Sequence, residues 1–259
     1  MGTPTAAEWL RDRIAVSPCS NPEMGLTEVL ETYGNLGFVH FEAFTSWVRS
    51  SLHIESDPEN YRSMANSLGM DFTSLHLPPI DGDVEASLAR AVSAASFAEA
   101  LGVETVIYKA ATRNLYIEAA HPLLDAIEGL NVVPVLQNHS GTALSPIADY
   151  EEVLDGIADD RMRTLLEIGH FHSVGVSWRE GLDLLQETVQ LVHIKDQIGI
   201  QSVLYGTGEI DLKGLFHTTK EREFKGRFVV EMEVADSENT VQYLADALLF
   251  LEDLTESMK

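Results

Sequence analysis

The run LVHIKD, residues 191–196, places an imidazole, an ammonium and a carboxylate within four positions, where an apolar strand gives way to a loop. Side chains alternate across a strand, so His193 and Lys195 share one face while Ile194 and Asp196 turn to the other. The first face can reach a site; the second packs or braces. The glycine-punctuated GTGEID that follows leads into a helix at Asp211. Comparable polar endings recur along the chain at Glu42, His76, Lys109, Gln137 with His139, Glu167 with His170, and Glu231 with Glu233. Five of the nine histidines, His76, His139, His170, His172 and His193, lie at or just beyond such ends. Carboxylates and imidazoles converging from several strands can hold a divalent metal cation of the Mn, Mg, Co or Zn type, and the unligated members can move protons near neutral pH. One cysteine, Cys19, cannot build an iron–sulfur site.

Positioning these groups requires a repeated strand and helix phrase. Short β-branched or apolar runs predict strands over residues 13–16, 38–42, 72–77, 105–109, 132–138, 162–167, 191–195 and 228–234. Helical spacing predicts helices over 26–36, 58–68, 84–101, 147–158, 179–189 and 240–254. Alternation of the two implies parallel strands with helical crossovers. Gly37, Gly69 and Gly102 each follow a leucine just before a strand, as helix stops do. Asp57 before Pro58, Ser145 before Pro146, and Ser177 with Glu180 read as helix starts. No linker or low-complexity tract divides the chain, so residues 1–259 are expected to form one domain, α/β in class. Eight units in about 250 residues favour a closed (β/α)8 TIM barrel over an open doubly wound sheet. No dinucleotide fingerprint, phosphate-binding P-loop or nucleophile elbow is present.

The formal net charge of −24, from 41 acidic against 17 basic residues, repels a nucleic-acid backbone or an anionic membrane at long range. Neither is an expected partner. No apolar run approaches a membrane span, and residues 1–14 carry no secretion signal. With the single cysteine these features point to a cytoplasmic protein. Apolar faces on the outer helices are compatible with a homodimer.

The segments LQNHSGT, LLEIGHFHSVG, LVHIKD with GTGEID, and FVVEMEV occur in that order. As a set, over about residues 13–254, they resemble the signatures of the xylose isomerase-like sugar isomerase and epimerase superfamily. The resemblance implies a (β/α)8 barrel and a relationship to ketose 3-epimerases, hydroxypyruvate isomerases, inosose dehydratases and an endonuclease branch. Carried over by position, it implies metal ligands at Gln137, Glu167, His193 and Glu231. Two of these depart from the family pattern: Gln137 stands where glutamate is usual, and Glu167 where aspartate is usual. In the epimerase branch the glutamates of the fifth and eighth strands both bind metal and exchange the substrate proton on opposite faces. Gln137 can ligate through its amide oxygen but cannot serve as a base.

Glu231 is therefore the expected general base, and a one-base reaction fits better than a two-base epimerisation. His170 matches a histidine that holds a substrate hydroxyl. His76, Lys109 and His139 complete the expected substrate-binding set, with Lys195 and Lys109 as electrophilic or carboxylate-binding groups. The expected activity is a metal-dependent sugar isomerase or epimerase-like reaction, through an enediol, on a small carbohydrate carbonyl compound. The alternatives are an inosose dehydratase-like lyase and a diverged sugar- or metal-binding barrel without turnover. Each residue also has a plainer reading: His193 as a core histidine, Glu231 and Glu233 as solvated strand-end charges, Gln137 as a buried amide, and His139 as a loop brace.

Overall fold

A computed structural model of the chain describes residue 10 and residues 12–257. The secretion-signal reading of the N-terminus rests mostly on positions outside the described residues. Among the described residues, eight parallel strands close into a barrel: β1 (Ile14–Val16), β2 (His40–Phe44), β3 (Asp71–His76), β4 (Thr105–Tyr108), β5 (Val133–Gln137), β6 (Arg163–Glu167), β7 (Val189–Ile194) and β10 (Arg227–Val230). Neighbours in the barrel are neighbours in the chain, and β10 closes onto β1. Between β7 and β10 lies a small antiparallel hairpin, β8 (Asp196–Ile198) and β9 (Gln201–Val203), in the stretch expected to be loop.

Strand alternation divides the core. Ala15, Ile107, Val135, Leu165, Leu191 and Val229 form a compact cluster inside the barrel. The outward set, including Val16, Val106, Leu136, Leu166, Val192 and Val230, packs against the surrounding helices in one continuous core. Two positions further along β5, β6, β7 and β10 the inward parity brings Gln137, Glu167, His193 and Glu231 above that apolar plug. The polar groups therefore sit at the C-terminal mouth.

Two register shifts set their heights. Phe41 pairs with Phe72 but Glu42 pairs with Ser74, and Thr164 pairs with Val189 but Leu165 pairs with Leu191. The second shift makes Gln190 the extra residue and brings Glu167 level with His193 rather than Val192.

Helices follow the expected punctuation. The left-handed glycines Gly37, Gly69 and Gly102 have φ of 108, 73 and 90°. Asp57 accepts from the Glu59 N–H at 3.0 Å, and Ser177 with Glu180 forms a reciprocal capping box. Ser145 does not cap: Pro146 takes the N-cap position, and the Ser145 N–H donates to Asp149 Oδ2 at 3.1 Å. The helix expected over 179–189 runs instead over Trp178–Leu185. It stops at Gln186, whose φ of 44° breaks the helical path. The helix Arg113–Ala126 escaped the periodicity reading; it contains Pro122, and Thr112 caps it. No helix of the described residues is long and apolar enough to cross a membrane.

Candidate active site

His193 is the centre of the mouth and is fully buried. Its Nε2 lies 2.9 Å from Glu42 Oε2. On the other side of the ring, Nδ1 faces Glu231 Oε1 at 3.1 Å, Glu167 Oε2 at 3.2 Å and the Gln137 amide nitrogen at 3.5 Å. With Glu42 accepting the Nε2 proton, Nδ1 is the ring nitrogen that faces the remaining three groups. Glu42 is itself bracketed: Ser74 donates to Oε2 at 3.0 Å, and Oε1 lies 3.1 Å from His76 Nε2.

Glu167 is fixed by its neighbours. Asn138 mimics a backbone pair, accepting from the Glu167 N–H at 2.9 Å and donating to its carbonyl at 2.8 Å. Glu167 Oε1 accepts from the Gly169 N–H at 2.9 Å and caps the short helix Ile168–Ser173. Its other oxygen is buried without a hydrogen bond and points at the His193 side of the site.

Lys195 shares the inward face with His193, as alternation requires. Its ammonium lies 2.6 Å from Glu231 Oε2 and 2.6 Å from Glu233 Oε2. The lysine stem runs against Gly169, where a Cβ would fall 2.5 Å from its methylenes, so only glycine admits it. Asp196, on the opposite face, braces the GTGEID loop: it accepts from the N–H groups of Gln197, Gly206, Gly208 and Ile210 at 2.9–3.3 Å. That explains the second glycine of the motif, because a Cβ on Gly208 would collide with the Asp196 carboxylate.

The electrostatics follow from this packing. Burial alone would lower the His193 imidazole, but Glu42, Glu231 and Glu167 outweigh it and hold it well above its usual value. Burial raises Glu167 to about 7, with Lys195 opposing and Glu231 adding to the rise. Glu231 goes the other way: against burial, Lys195 and His193 hold it well below the ordinary carboxylate range. Burial also lowers His76 to about 4 and His170 to about 2, so both are neutral imidazoles.

A cleft of about 310 Å³ opens above these groups, walled by Phe44, Trp47, His76, Lys109, Gln137, His139, His170 and Glu231. His139 and His170 lie against each other with ring centroids 3.7 Å apart, and His170 Nδ1 is 3.0 Å from Ser140 Oγ. His76 stacks on Phe44 at 3.9 Å; its Nε2 faces Glu42 Oε1, and its Nδ1 has no hydrogen bond. The structure thus brings together every residue singled out for metal, catalysis or substrate. It leaves out His172, which pairs with Glu209 at 3.2 Å away from the cleft. Sequence reasoning missed Phe44, which follows the parity of Glu42 and could have been found from it. It also missed Trp47, for which the sequence carries no signal.

The donor set fits a divalent cation. Glu167, His193 and Glu231 offer ligand atoms within 4.8 Å of one another, with the Gln137 amide beside them. Mixed oxygen and nitrogen donors suit a Mn²⁺- or Zn²⁺-like ion. The upward pull on His193 has the same origin, since a proton on Nδ1 stands where a cation would face the two carboxylates.

The family model of the xylose isomerase-like TIM barrel matches residues 31–254. The chain belongs to this family. Among solved structures, this xylose isomerase-like barrel is similar to an IolI protein with a bound zinc atom, at 16% identity, TM-score 0.74, covering 93% of this chain and 98% of that one. It is also similar to the probable 3-DHS dehydratase AsbF of Bacillus anthracis, at 12% identity, TM-score 0.76, covering 92% and 98%. A third is the 3-keto-D-glucoside 4-epimerase YcjR of E. coli, at 14% identity, TM-score 0.76, covering 93% and 99%. At these identities the likeness is one of fold. No curated protein matches the sequence.

Proposed function

We propose that the protein is a divalent-metal-dependent isomerase of a small sugar or polyol-derived carbonyl compound. The observation that carries this reading is the convergence of Glu167, Glu231 and Gln137 on His193 Nδ1, with Nε2 anchored by Glu42. Gln137, Glu167, His193 and Glu231 would hold the ion, which when bound supplies polarisation of a carbonyl and its neighbouring hydroxyl.

The remaining chemistry belongs to the chain. Glu231 takes the proton from the carbon beside the carbonyl, and the C–H electron pair becomes the enediol double bond as the carbonyl π pair moves onto its oxygen. The same carboxylate returns the proton to the former carbonyl carbon while a proton passes from the neighbouring hydroxyl to the former carbonyl oxygen. A carboxylate held this far down by Lys195 and His193 is a weak base, and it can act only on a C–H already acidified by a polarised carbonyl. Lys195 keeps Glu231 ionised and oriented through its 2.6 Å contact. His170 and His76, both neutral, are placed to hold substrate hydroxyls. Such use of one carboxylate is consistent with Gln137, which cannot exchange a proton.

A dehydratase is the second reading. It uses the same single base and is favoured by Gln137 and by the similarity to a probable 3-DHS dehydratase. The test is elemental analysis of protein purified without chelator, followed by solvent-deuterium incorporation into a panel of ketoses and aldoses. Near-stoichiometric metal that is lost in His193→Ala and Glu231→Gln, with deuterium entering beside the carbonyl, supports isomerisation. Metal with loss of water from a hydroxy-carbonyl substrate supports the dehydratase. If neither Mn²⁺ nor Mg²⁺ binds on titration, the reading fails.

A further inference from the structure

The geometry points to a substrate that carries a carboxylate, held by Lys109 on the wall of the cleft opposite Glu231. This deepens the function proposed above and rests on it. In the barrel order β4 stands four strands from β10, so Lys109, directly after β4, faces Glu231 across the mouth. The chain has 41 acidic residues for 17 basic ones. Even so, the Lys109 ammonium makes no ion pair or hydrogen bond among the described residues. It lies over the Phe44 ring, 5.5 Å from the nitrogen to the centroid. Lys195, the other lysine of the site, is clamped by Glu231 and Glu233.

A half-buried ammonium with no carboxylate within ion-pair distance is costly to retain. A surface this rich in acids had ample means to neutralise it and does not. A ring face stabilises the cation without consuming its donors, so all three N–H groups remain available to an anion in the cleft. Phe44 continues into Trp47, with centroids 5.6 Å apart, which forms an apolar wall beside the cation. Trp47 is 66% exposed and holds a φ of 81°, a left-handed conformation that a bulky residue rarely keeps, at the lip of this cleft.

The charge count selects a monoanion. Lys109 is the one lysine or arginine among the described residues that line the cleft, so one ammonium matches one carboxylate and leaves the second charge of a phosphate dianion without a partner on the cleft wall. A volume of about 310 Å³ limits the ligand to a small molecule. The substrate is then a small oxo- or hydroxy-acid, its acid end at Lys109 and its carbonyl end toward His193 and Glu231.

The test is binding to Mn²⁺-loaded protein, read by calorimetry, of hydroxypyruvate, dihydroxyacetone and dihydroxyacetone phosphate, extended to longer oxo-acids paired with their neutral ketoses. The acid of at least one pair is expected to bind about ten- to a hundred-fold tighter than its neutral partner, the range of a hydrogen bond to a charged group. Lys109→Met keeps the stem on Phe44 and should erase that preference, while Lys109→Arg should restore part of it. Metal content of all three proteins should be equal, since Lys109 is not among the ligands. If no acid binds tighter than its neutral partner, if Lys109→Met keeps the preference, or if the phosphate ester binds tighter than the carboxylates, the inference is overturned. Failure of the wild type to load metal would instead sink the parent reading, so the two failures are distinct.

Discussion

Glu42→Gln is the substitution on which the site reasoning can be judged most sharply. Glu42 is fully buried, and one of its oxygens accepts from both His193 Nε2 and Ser74. The amide keeps the volume and loses the charge. If its NH₂ turns to His193, two donors meet, and the imidazole must move its proton to Nδ1, the atom facing Glu167 and Glu231. If its oxygen turns there, the contact becomes a neutral hydrogen bond and His193 loses much of the basicity that a carboxylate partner confers. Outer partners of ligating histidines are worth about 10–100-fold in metal affinity, equal to about 1.4–2.7 kcal/mol. Chelator competition with Mn²⁺ or Zn²⁺ should therefore show a loss of that size in Glu42→Gln, with native circular dichroism retained. Ser74→Ala removes a neutral donor from the same oxygen and leaves the charge, and should change affinity far less. A folded Glu42→Gln protein that binds metal as tightly as wild type would refute the assignment of Nδ1 as the metal-facing atom.

Gln137→Glu adds a further carboxylate beside Glu167 and Glu231; it should tighten metal binding while lowering the melting temperature of chelator-treated protein, and the opposite pair of shifts would count against the convergence described. Burial lowers Lys109 to about 8 from an ordinary 10.5, partly opposed by Glu42 and Glu231. Between those values the unfolded chain binds a proton that the folded one does not, so this residue's contribution to stability rises with pH. The difference in melting temperature between wild type and Lys109→Met should accordingly shift in favour of wild type from pH 8 upward, and a flat difference curve would contradict the burial argument. Gly208→Ala should push the Asp196 carboxylate off its backbone donors and cost about 1–3 kcal/mol or more, measurable by urea unfolding; a neutral result would mean that the loop does not depend on this close approach.

Much of the barrel was legible because its signals are local. Period-two alternation places Leu191, His193 and Lys195 on one face, and Val229, Glu231 and Glu233 on one face, whatever the neighbours are. Helix boundaries at Leu36 and Leu101 follow from the glycines that terminate them. Where competing local signals met, the reading slipped. Pro122 masked the helix Arg113–Ala126, and the hairpin Asp196–Val203 was hidden within a glycine-rich stretch.

By itself the sequence determined which residues face inward and that polar ones crowd the strand ends. Closure of the barrel decided what those residues do to one another. The contact between Glu42 and His193 joins positions 151 residues apart, and no local pattern encodes it. A single extra residue, Gln190, sets Glu167 opposite His193, because a register shift moves every later pair along the ladder. The two lysines show the same division. Both are strand-end cations in the sequence, yet closure brings Glu231 and Glu233 to Lys195 and only an aromatic ring to Lys109. Charge pairing falls steeply with distance and burial, so the chemistry of each ammonium depends on neighbours supplied by other strands.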